Sequence, residues 1–79
     1  MPRYFFQIYN DRVTHDEEGA ELPDIAAARE RAVREVRILA AESVELHGHL
    51  VLGHRIEVEE RDGTKVATVR FGDVIHIRA

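Results

Sequence analysis

One long helical pattern, from Asp24 to about Leu46, constrains this chain more than any other feature. Apolar residues recur at Ile25, Ala28, Ala32, Val36, Leu39, Ala40 and Ser43/Val44, which is the spacing of one face of an α-helix. Pro23 and Asp24 mark its start: proline is tolerated in a first turn, and aspartate caps free N–H groups there. The interior is rich in Ala, Arg, Glu and Leu, all strong helix formers. The pattern stops at His47-Gly48-His49, where glycine supplies the left-handed conformation that commonly closes a helix. Every other patterned segment is short and strand-like, so the helix is the element those strands must pack against.

The remaining helix face carries Arg29, Arg31, Arg34 and Arg37, interleaved with Glu30, Glu35, Glu42 and Glu45. Phosphate binding needs a net positive potential, and here the acids cancel it. The whole chain has 79 residues and a formal charge of −4. This balance argues against nucleic acid and against an acidic membrane surface as partners. No cysteine is present, which excludes disulfides, thiolate catalysis and cysteine-ligated metal. No apolar run approaches the roughly 20 residues that span a bilayer, and no signal-like segment stands at the N-terminus. The reading is one domain, residues 1–79, in a cytoplasmic setting.

Taken in order, Tyr4 to Tyr9 reads as an aromatic strand with Tyr4, Phe6 and Ile8 on one face and Phe5, Gln7 and Tyr9 on the other. Asn10-Asp11 forms a turn, and Arg12 to Asp16 a weak return strand around Val13. Asp16 to Glu21 is an acidic loop whose Gly19 suits a positive φ. After the helix, His47 to Gly53 reads as a loop. Arg55 to Glu60 alternates, with Ile56 and Val58 inward and Glu57 and Glu59 outward. Asp62-Gly63 is a strong hairpin signal, and Lys65 to Phe71 is the returning strand. Gly72-Asp73 is a further turn, and Val74 to Arg78 reads as a short fifth strand or a bent continuation.

The order ββαββ, with a possible fifth strand, predicts an α+β fold: an antiparallel sheet with one long helix on one face. The other face stays open. Phe5, Tyr9, Val66, Ile75 and Ile77 are expected there, and an exposed apolar patch on a small domain often marks an interface.

Residues able to carry chemistry are sparse. His47, His49 and His54 flank one glycine-bearing loop, and imidazole is the commonest metal ligand. Their spacing is nevertheless unlike a helical H-E-x-x-H site, and a solvated loop is the simpler reading. His15 and His76 stand apart. Ser43 is the one serine and lies within the helix, with no G-x-S-x-G elbow. Asp16, Glu17 and Glu18 lack the spacing of a calcium loop.

MPRYFF at the start, Asp16 to Asp24 (DEEGAELPD) running into an alanine- and arginine-rich helix, and then RIEVEERDG together resemble a family of small bacterial, mainly alphaproteobacterial, proteins known as domain of unknown function DUF6894. The resemblance covers nearly the whole chain. It implies no activity, cofactor or catalytic residue. It directs attention to Glu17, Glu18 and Glu21, which the turn and helix start do not need, as a binding loop.

The residues therefore point to a non-enzymatic protein-interaction module without a cofactor. It is expected to form a homodimer through the open sheet face or an edge strand. The alternative is a metal- or small-ligand-binding protein using His47, His49 and His54.

Overall fold

The computed structural model describes residues 1–79. The elements are β1 (Arg3–Tyr9), β2 (Val13–Thr14), β3 (Ala20–Glu21), α1 (Ile25–His47), β4 (Arg55–Glu59), β5 (Lys65–Arg70) and α2 (Phe71–Val74). The fold is α+β. Five antiparallel strands form the sheet in the order β2-β1-β4-β5, with β3 pairing the start of β1. The long helix packs on one face.

Helix α1 has the ends its sequence dictates. Asp24 is extended, and its carboxylate accepts a hydrogen bond from the Ala27 N–H at 2.8 Å. Gly48 closes the helix at φ 68°, donating its N–H to the Val44 carbonyl. Four residues at helical spacing, Ala28, Ala32, Val36 and Ala40, are buried. Three of them are alanines, so the helix backbone lies close to the sheet. Tyr4, Phe6, Ile56, Val58 and Val69 meet them from the strands, and Phe71 joins from α2.

The apolar stripe is shorter than its sequence pattern. Ile25 and Val44 are 48% and 54% exposed. A 23-residue helix is about 34 Å long, whereas the five- to seven-residue strands span about 17–24 Å, so the helix overhangs the sheet at both ends.

The first hairpin and the C-terminus also differ from expectation. The return strand over 12–16 shrinks to Val13–Thr14, both exposed, because Val13 has no core to enter. A two-residue strand, Ala20–Glu21, forms instead within the acidic segment. Val74 to Arg78 is not a strand. Phe71–Val74 makes one helical turn, with Asp73 Oδ2 reaching back to accept from the N–H of the preceding Arg70 at 3.0 Å, and the rest is irregular. The fifth strand of the sheet is therefore β3.

Candidate functional site

The acidic loop is held by Asp16. Its Oδ2 accepts from the Phe6 N–H at 3.1 Å, and its Oδ1 accepts from the N–H groups of Glu18 and Gly19 at 3.2 and 3.0 Å. Between β2 and β3 the edge of β1 has no strand beside it, and this carboxylate takes the place of a ladder partner. The Asp16 N–H in turn donates to Gln7 Oε1 at 2.9 Å. Two of the other acids carry structural contacts as well. Arg3 pairs with the Glu21 carboxylate at 3.2 Å and donates to the Glu18 carbonyl at 2.8 Å. Glu17 is exposed and makes no side-chain contact of this kind.

On the open sheet face, the register sets Phe5, Gln7 and Tyr9 beside Glu59, Glu57 and Arg55. Glu57, expected to point outward into solvent, is only 4% exposed. Long neighbouring side chains cover it. Arg55 Nε donates to Oε2 at 2.6 Å, and the Lys65 ammonium stands 2.7 Å from Oε1 as its ion-pair partner. The Arg55 guanidinium also lies 4.3 Å over the Tyr9 ring, and Arg61 lies 5.7 Å over Phe5. Such stacks shield the rings while the charges stay near water. Val66 and Ile75, expected on this face, pack against the core, and Ile77 is exposed in the irregular C-terminal segment.

The Lys65 ammonium, with help from Arg55, outweighs burial and holds the Glu57 carboxyl below its usual value of 4.5. The same pair raises Lys65 above 10.5. The signs follow directly. Stabilisation from Glu57 is complete above the unfolded-chain value and is lost as pH falls through the lower folded one. That from Lys65 is complete below 10.5 and lost as pH rises through its higher folded value. Glu57→Gln should lower the melting temperature at pH 7 by a few degrees and flatten its fall between pH 5 and pH 3. Melts that keep the wild-type acid slope would assign that slope to other carboxylates.

The histidines do not converge. His47 and His49 stack with ring centres 5.5 Å apart. His54 lies elsewhere, with its edge against Phe71 and Nε2 3.5 Å from Asp11 Oδ1. No three histidine or acidic side chains are placed to share a metal ion. The alternative of one ion held by His47, His49 and His54 thus finds no support in their positions, because Gly48 turns the chain and His54 stands just before β4. His47 and His54 do line one open cleft of about 470 Å³, with Asp11, Glu42, Leu39 and Phe71. Ser43, on its wall, is already engaged: its hydroxyl donates to the His49 carbonyl at 2.8 Å.

The last feature is the far edge of the sheet. The Phe6 N–H points to Asp16 and so away from β4, which fixes the phase of the whole ladder. Ile56 and Val58 then aim their backbone groups at β5, and Ala67 and Val69 aim theirs back. The Phe71 N–H, donating to the His54 carbonyl at 2.8 Å, continues that row. Thr68 lies out of phase, so its N–H and C=O point outward. β5 pairs only with β4, and no strand lies along its other side.

These features define a small two-layer α+β domain, with one polar-sealed sheet face and one free strand edge. The family model described as "Domain of unknown function (DUF6894)" matches residues 3–72, and the chain belongs to that family. No curated protein and no solved structure matches it. No helix is long and apolar enough to cross a membrane.

Proposed function

We propose that this protein is a non-enzymatic interaction module that self-associates through β5. The observation carrying the reading is the edge of β5 that no strand covers, where Thr68 presents an unpaired N–H and C=O while the Arg70 N–H is taken by Asp73. Unpaired N–H and C=O groups in a row are a template for another strand, and proteins usually cover or blunt them. The opposite side of the sheet is managed in that way, by β2, β3 and the Asp16 carboxylate. The open face is the weaker of the two surfaces, because Phe5 and Tyr9 already have guanidinium groups over them. In keeping with a non-enzymatic role, the Ser43 hydroxyl closes the loop after α1, and the buried Glu57 carboxylate is neutralised by two cations.

Sedimentation velocity over a wide concentration range tests the reading. The expected result is a reversible monomer–dimer shift. Thr68→Pro removes the outward N–H at a position where an edge strand tolerates proline, so this variant should keep its circular dichroism and remain monomeric. A wild-type chain that stays monomeric at every concentration overturns the proposal.

A further inference from the structure

We infer that two copies of this chain pair their β5 strands antiparallel about a twofold axis through Thr68. The inference rests on the self-association reading and specifies its register. A β-bulge opposite Val58/Glu59 interrupts β5 after Lys65, and α2 begins at Phe71. The pairing with β4 skips Val66, so the regular stretch is Ala67 to Arg70, and within it Thr68 alone aims an unpaired N–H and C=O outward, because the Arg70 N–H donates to Asp73 Oδ2. Centred there, the two Thr68 residues exchange both N–H···O=C bonds across the axis, and the Arg70 end of each β5 lies beside the bulge at Val66 of the other. Threonine opposite threonine is a favourable cross-strand pair. Any shift of register that carries Arg70 toward its own symmetry mate opposes like charges.

Charge complementarity supports the same register. Arg70 stands opposite Arg55 within the chain, an unfavourable pairing, and Arg55 turns away onto Glu57 and Tyr9. Arg70 is left exposed, with no carboxylate within ion-pair distance, and Glu59 on the same face likewise lacks a close ion pair. The twofold axis sets Arg70 of one copy two strand spacings from Glu59 of the other, about 10 Å between backbones. That gap is within the combined reach of the two side chains. Within the chain Lys65 stands opposite Glu59 but is held at 2.7 Å by Glu57, so the dimer gives Arg70 a carboxylate and Glu59 a second cation.

The chain has no cysteine, so single-cysteine variants give an unambiguous reading. A hydrogen-bonded antiparallel pair has Cα atoms about 5.5 Å apart, inside the range a disulfide spans. Under mild oxidation, Thr68→Cys should form covalent dimers. Arg70→Cys should fail to cross-link, because the axis through Thr68 holds its two copies four residues out of register. As a second measurement, Arg70→Glu should weaken association at least several-fold, and adding Glu59→Arg should restore it. A wild-type dimer whose Thr68→Cys variant does not cross-link, or whose charge swap fails to rescue, overturns this register and leaves self-association standing. A wild-type monomer overturns both.

Discussion

Phe71→Ala should cost about 3–5 kcal/mol, the usual range for deleting a buried aromatic side chain. The domain can ill absorb it. A chain of 79 residues has on the order of 4–12 kcal/mol of total stability. Phe71 is 2% exposed and closes the core where β5 turns into α2. Its ring meets the edge of His54 at 5.5 Å, its N–H binds the His54 carbonyl, and its own carbonyl accepts from Ile75. Removing the ring therefore opens a cavity where α2, the start of β4 and the end of α1 come together. Urea unfolding followed by circular dichroism should show the midpoint collapsing, or a chain already partly unfolded without urea. Phe71→Leu, which refills much of the volume, should recover more than half of the loss. A Phe71→Ala variant within 1 kcal/mol of wild type would show that the ring is not core.

Local chemistry in the sequence predicts local structure well here, and covering contacts poorly. Asp24, Gly48 and Gly19 have the conformations their residue types imply, because caps and positive-φ turns depend on a few adjacent atoms. Strand alternation likewise assigns Ile56 and Val58 to the core. It cannot say whether the opposite face is wet. Glu57 reads as solvent-facing by alternation, yet it is buried because Arg55 and Lys65 fold over it from neighbouring positions of the sheet. Those contacts depend on strand order. The same holds for Asp16, whose sequence neighbours suggest only an acidic loop. Its partner at Phe6 lies across the first hairpin. The cleft near His54 has no periodic signal at all, since it joins the β1–β2 turn to the last turns of α1. The free edge of β5 was legible as a possibility, and its identity came only with the order β2-β1-β4-β5.

Gly19→Ala is the second large effect expected, and it separates two duties that glycine performs in this fold. At φ 69° a side chain costs about 1–2 kcal/mol through its left-handed backbone alone. A Cβ there would also stand 2.7 Å from the Tyr4 carbonyl oxygen and 3.0 Å from side-chain carbons of Arg3 and Phe5. The side chains can move. The carbonyl belongs to the β1–β3 pairing at Tyr4 and Ala20, so relief requires β3 to leave β1. Overpacking of this kind adds about 1–3 kcal/mol, for a total of about 2–5 kcal/mol. Gly48 is the control: its φ is 68°, yet nothing lies within 4 Å of where its Cβ would be. Gly48→Ala should therefore show only the conformational part. Hydrogen exchange locates the difference, because Gly19→Ala should also expose the Phe6 amide held by Asp16 and the Leu22 amide bonded to the Pro2 carbonyl. If the two variants lose equal stability, the close approach to Tyr4 contributes nothing.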